Sequence, residues 1–127
     1  MAGWVGSIED KTIANNYFRQ VLFTAPHSQL VVMSLKPGEE IGTETHDKVD
    51  QFLRVESGEG KTVLNGQETA IKDGFAIVVP AGTEHNVINT SNTKPMKLYT
   101  IYSPAQHRDG TIHKTKAEAE ADEADHP

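Results

Sequence analysis

The stretch from Gly74 to Asn89 constrains this chain more than any other part of it. Phe75 to Val79 is a short β-prone run. Pro80 closes it, because a fixed φ and a missing N–H suit a strand end. Gly82 then lets the backbone reverse. His85 opens a second strand whose alternation puts His85, Val87 and Asn89 on one face. A histidine on the inner face of a β-rich domain is either a satisfied core residue or a metal ligand. Taken alone, His85 reads as the former, and the rest of the chain reverses that weighting.

Strand follows strand along the sequence, with turn signals between. Tyr17 to Phe23, Gln29 to Leu35, Gln51 to Glu56, Lys61 to Leu64, Gln67 to Ile71, Phe75 to Val79, His85 to Asn89 and Met96 to Tyr102 read as strands. Asn65-Gly66 is a hairpin signal, since a type I′ turn needs positive φ at both central residues. No helices alternate with these runs, so an all-β barrel or sandwich is expected rather than a parallel βαβ sheet. The expected organisation is an N-terminal arm over 1–16, a barrel over 17–103 and a C-terminal extension over 104–127. The arm carries Trp4, read as packing, and a weakly helical Ser7-Ile-Glu-Asp-Lys stretch.

Composition narrows the chemistry. The 127 residues contain no cysteine, which excludes disulfides, thiolate nucleophiles and iron–sulfur clusters. A formal net charge of −6 argues against nucleic-acid binding. No apolar run approaches a membrane span, and the N-terminus lacks a signal pattern, so the cytoplasm is the default expectation. Residues 115–127 crowd Glu118, Glu120, Asp122, Glu123 and Asp125 against Lys116, and read as a solvated, partly helical or disordered end without an apolar stripe.

Glu44 and His46 are two apart, so on an extended segment both point the same way. Gln51 shares a strand face with Leu53 and Val55. If Glu44, His46, Gln51 and His85 all point inward, one cavity receives two imidazoles, a carboxylate and an amide oxygen, a set suited to a borderline divalent metal. His27, His107, His113 and His126 have no partner at ligand spacing and read as surface residues. Tyr99 reads as packing, with a substrate-orienting role as the alternative, and Arg54 is expected on the face away from the metal.

These two segments resemble the paired motifs of the cupin superfamily. The second matches G-x5-P-x-G-x2-H-x3-N at every fixed position, through Gly74, Pro80, Gly82, His85 and Asn89. The first resembles G-x5-H-x-H-x3–4-E-x6-G through Gly38, His46 and Gly58, with Glu44 replacing the first histidine and Gln51 the glutamate. Asp50 competes with Gln51 for that last place, but only Gln51 leaves six residues before Gly58.

The resemblance covers roughly 29–103 and implies a double-stranded β-helix, the jelly-roll barrel. It implies one divalent transition metal (Zn, Mn, Fe or Ni) held by Glu44, His46, Gln51 and His85, a small-molecule substrate and a homodimer. Isomerase-type cupins of the mannose-6-phosphate isomerase kind use mixed Gln/Glu/His ligand sets. The expected activity is therefore isomerase- or lyase-like chemistry on a sugar, sugar acid or small oxo/hydroxy compound, with Glu44 as the base. A non-haem iron dioxygenase and a ligand-binding cupin without turnover are the alternatives.

Overall fold

Residues 2–122 are described by the computed structural model. Their elements run α1 (Ile8–Ala14), β1 (Arg19–Thr24), β2 (Gln29–Leu35), β3 (Asp50–Ser57), β4 (Glu59–Leu64), β5 (Gln67–Lys72), β6 (Ala76–Val79), β7 (His85–Asn89), β8 (Met96–Ser103), β9 (Ile112–His113) and α2 (Lys116–Ala121). The strands form two antiparallel sheets, one in the order β6-β3-β8-β2-β1-β9 and the other β5-β4-β7. This is the all-β jelly roll expected of the chain.

Alternation builds the core. On β3, Gln51, Leu53 and Val55 are buried while their neighbours Phe52 and Arg54 are only half-buried. Leu53 and Val55 join Val31, Met33 and Leu98 from the larger sheet and Ile71 and Val87 from the smaller one in a single apolar cluster. The β4–β5 hairpin turns at Asn65 (φ 49°) and Gly66 (φ 84°), both positive as the type I′ geometry demands. Gly60 is fixed by close approach, for a Cβ there would sit 2.1 Å from the Ile88 carbonyl oxygen.

The ends differ from the sequence reading. The first strand begins at Arg19 rather than Tyr17, because the Asn15 side chain intervenes. Its Nδ2 donates to the Tyr17 carbonyl and its Oδ1 accepts from the Tyr17 N–H, holding residues 15–17 in a local turn. The weakly helical stretch is α1, capped by Ser7 and anchored by buried Thr12. Lys97 is also buried, and its Nζ donates to the Asn15 carbonyl and to Asn16 Oδ1, pinning α1's end against β8. Burial lowers the Lys97 pKa from the ordinary lysine value.

The acidic tail is not uniformly solvated. Ala119 of α2 is buried in the main apolar cluster, so a single small side chain docks a helix that lacks an apolar stripe. Glu123, Asp125 and His126 lie outside the described residues. No helix among the described residues is long and apolar enough to cross a membrane.

Candidate metal centre

β7 supplies the first group. Its leading residue, His85, is buried, and it faces Glu44 across an isolated antiparallel bridge: each backbone N–H donates to the other's carbonyl at 2.9 Å. The His46 carbonyl accepts from Gly82 N–H at 2.9 Å, which ties the 44–46 segment to the Pro80–Gly82 turn. Local backbone pairing thus brings together side chains some forty residues apart in sequence.

Glu44, His46 and His85 each offer one ligating atom, and these atoms all lie within 4.8 Å of one another. The His46 and His85 ring centroids are 5.2 Å apart. His85 Nδ1 lies 2.9 Å from the Thr83 carbonyl, which can only accept, so Nδ1 carries the proton and Nε2 is left with a free lone pair. His46 Nε2 is 3.0 Å from Glu44 Oε2 but misaligned for a hydrogen bond, and it is buried without a hydrogen-bond partner.

The Glu44 side chain is 30 % exposed, so it reaches the mouth of the barrel rather than the dry interior. Burial alone would raise its pKa. The close contact with His46 and the electrostatic influence of His46, Arg19 and His85 outweigh that and hold the carboxyl below its ordinary range. It is therefore a carboxylate at neutral pH.

Gln51 is 5 % exposed, on the inner face of β3 opposite Tyr102 of β8. The Tyr102 ring lies 6.1 Å from that of His46, so Gln51 belongs to the same end of the barrel. Its Nε2 donates to Thr100 Oγ1 at 3.0 Å, which fixes the amide, while Oε1 is buried with no partner. Asp50 is exposed, and its Oδ1 accepts from the Ala81 N–H at 2.9 Å. Of the buried atoms left without hydrogen bonds, the two at this site, His46 Nε2 and Gln51 Oε1, are the kind a cation satisfies. Two imidazoles, a carboxylate and an amide oxygen also fit a borderline divalent ion.

The remaining candidates fall differently. Tyr99 is half-buried and pairs with Phe52 (ring centroids 6.2 Å) on the outer face; the tyrosine that faces the site is Tyr102. Strand alternation from Thr100 would have identified it. Arg54 is half-buried on the outer face, as expected. His27 is exposed, but His107 and His113 are both buried, contrary to the surface reading. His107 Nε2 lies 3.3 Å from the Tyr102 hydroxyl, and His113 Nδ1 lies 3.2 Å from Arg19 Nη1. A cavity of about 670 Å³ lined by Ser57, Gly58, Lys72, Asp73 and Lys97 lies apart from this cluster and holds none of its groups.

Comparison with known proteins agrees with this fold. Residues 31–102 match the family model for the cupin domain. The uncharacterised protein YrkC of Bacillus subtilis is 53 % identical over 127 residues, which span 94 % of this chain and 67 % of that protein. An uncharacterised protein of Acanthamoeba polyphaga mimivirus is 48 % identical over 113 residues, covering 86 % of this chain and 70 % of its own length. A crystal structure of a Bacillus halodurans protein superposes with a TM-score of 0.90 at 48 % identity, covering 93 % of each chain. With the family model spanning more than half its length, the chain belongs to the cupin family.

Proposed function

We propose that this cupin is a metal-dependent enzyme in which Glu44, His46, Gln51 and His85 hold one divalent transition metal. We further propose isomerase- or lyase-type chemistry on a sugar, sugar acid or small oxo/hydroxy compound. The observation that carries the reading is the convergence of Glu44, His46 and His85 ligating atoms within 4.8 Å. The unsatisfied Gln51 oxygen supports a fourth ligand.

A divalent ion bound there would polarise a substrate oxygen and lower the cost of negative charge on it. The protein's own groups supply the rest. His85 is locked in one tautomer by Thr83, and Gln51 is oriented by Thr100, so neither ligand needs to reorganise. Glu44, ionised and 30 % exposed, is the group that can meet a substrate C–H or O–H and take its proton on a carboxylate oxygen. Tyr102, edge-on to both His46 and His107, lines the same space with a hydroxyl. Pairing of two chains is supported by Val78, 65 % exposed on edge strand β6, beside Phe75 at 39 %.

The three-residue set of two histidines and one carboxylate also favours a second reading, a non-haem iron dioxygenase. Metal-loaded protein assayed anaerobically against aldoses, ketoses and sugar acids, followed by NMR of the products, separates the two. Turnover without oxygen that is lost in Glu44→Gln supports the isomerase or lyase reading. Oxygen uptake by the iron-loaded form supports the dioxygenase. A protein that turns over nothing, and still binds ligand after His85→Ala, is a non-catalytic cupin.

A further inference from the structure

Three lysines converge on one cavity at the end of the barrel away from the metal centre. Gln51 stands near the start of β3 opposite Tyr102, and Ser57 ends the same strand opposite Lys97. At the rise of a strand these two levels are about 20 Å apart. The Ser57 level opens on a cavity of about 670 Å³, walled by residues 57–59, the end of β5, residues 94–95 and Ile13 of α1. A volume of that order takes a small organic molecule.

The lysines of this cavity lack counter-anions. Lys97 is 8 % exposed, yet none of the ion pairs among the described residues includes it, nor Lys72 or Lys94. An ammonium carries three donors. Lys97 gives two of them to the Asn15 carbonyl and Asn16 Oδ1, which are both uncharged. Its charge is therefore buried without an opposite one, an unfavourable state that a bound anion relieves. Lys72 and Lys94 are exposed and bring two further charges to the same cavity. Glu59 and Asp73 also line it. Asp73 Oδ1 already accepts from the Gly58 N–H at 2.7 Å, and Glu59, opposite Lys72 in the β4–β5 register, forms no ion pair with it. Lys72, Lys94 and Lys97 outweigh Glu59 and Asp73, so the lining is cationic in a chain of net charge −6.

The walls are braced. Gly58 has φ 119°, and a Cβ there would sit 2.9 Å from Met96 Cα and 3.1 Å from the Pro95 carbonyl oxygen, so the β3–β4 turn is pressed against the loop before β8. The Lys94 N–H donates to Ser91 Oγ at 3.0 Å, and the Lys94 carbonyl accepts from Asn89 Nδ2 at 2.9 Å. The Lys72 carbonyl accepts from the Phe75 N–H at 3.0 Å. Charges carried on a held backbone cost less to gather round a ligand. Ile13, 44 % exposed, and Pro95 supply an apolar wall.

We propose that this cavity is a second ligand site, separate from the metal centre, that binds a small organic dianion: a phosphate monoester or a dicarboxylate with a short apolar part. Lys97 is the buried anchor, Lys72 and Lys94 add charge from the exposed walls, and the apolar part lies against Ile13 and Pro95. The site stands whether or not the metal-centre reading does.

The test is titration calorimetry of the full chain with phenyl phosphate, isophthalate and inorganic phosphate at neutral pH and low salt. Wild type is compared with Lys97→Met, with the double variant Lys72→Ala/Lys94→Ala and with His85→Ala. At least one organic dianion should bind wild type, more tightly than inorganic phosphate does, and which one binds tells a phosphate monoester from a dicarboxylate. Lys97→Met should weaken that binding roughly tenfold or more, the worth of about one charge-assisted hydrogen bond. The double variant alters only exposed side chains, so it makes the comparison even where Lys97→Met does not fold. It should bind several-fold more weakly, by a margin that shrinks as salt is added. His85→Ala should bind as wild type does. The site is overturned if neither organic probe binds wild type, if inorganic phosphate binds as tightly as they do, or if the folded lysine variants bind as wild type does. Binding lost in folded His85→Ala overturns it too, since that places the anion at the metal centre.

Discussion

Asp50 and Gln51 are adjacent in sequence and do different work. Alternation sends Gln51 inward, where Thr100 holds its nitrogen and its oxygen is left unsatisfied, and sends Asp50 to the surface, where it accepts from Ala81 N–H. Asp50→Ala should therefore leave metal content unchanged and lower stability by about 1 kcal/mol, the worth of one exposed side-chain hydrogen bond, in chemical denaturation. Gln51→Ala should do the reverse, reducing metal retention. This distinction was legible in the sequence, because period-two alternation and motif spacing are local properties. The burial of His113 was not. The partner that buries it, Arg19, lies 94 residues away in sequence, and nothing near His113 records it. Arg19 itself left only a faint signal, a basic residue alternating with Val21 on the apolar side of a β-prone run.

At the scale of the element, β7 shows how one strand divides its labour. Its first residue, His85, faces the centre, Val87 packs in the core, and its last residue, Asn89, holds the barrel shut. Asn89 is 1 % exposed, and its Nδ2 donates to the carbonyls of Leu35, Lys36 and Lys94 while its Oδ1 accepts from Ser91 N–H. The last position of the family motif is thus a brace between the end of β2 and the β7–β8 loop. Asn89→Ala leaves several buried carbonyls without their donor and should destabilise the fold by about 3 kcal/mol or more, read by chemical denaturation, while the folded fraction retains metal. The sequence placed Asn89 on the correct face, but the hydrogen bonds that give it a role depend on loops brought near only by folding.

The whole molecule is a barrel closed by its own C-terminal extension. β9 pairs with β1, Val21 N–H donates to the Thr111 carbonyl, and the Gln29 side chain accepts from the N–H groups of Gln106 and His107 and donates to the His107 carbonyl. Asp122 ties the far end, its pKa lowered chiefly by the hydrogen bond from His113, with the Arg108 charge adding to it. A carboxyl whose folded pKa lies below its unfolded value contributes stability above the unfolded pKa and loses it as pH falls through the folded one. Wild type should therefore be more stable than Asp122→Asn at neutral pH. The two should converge as pH drops below the ordinary carboxylate range, as followed by thermal unfolding across pH.

The extension thus bears on the inner face of the barrel through His113 and Arg19. Elemental analysis of freshly purified full-length protein, wild type beside His85→Ala, tests the centre of this account most directly. It predicts about one divalent transition metal per chain in wild type. In the folded variant that metal should be largely lost. A wild type that retains none after equilibration with zinc, manganese, iron or nickel, or a variant that retains as much as wild type, would contradict it.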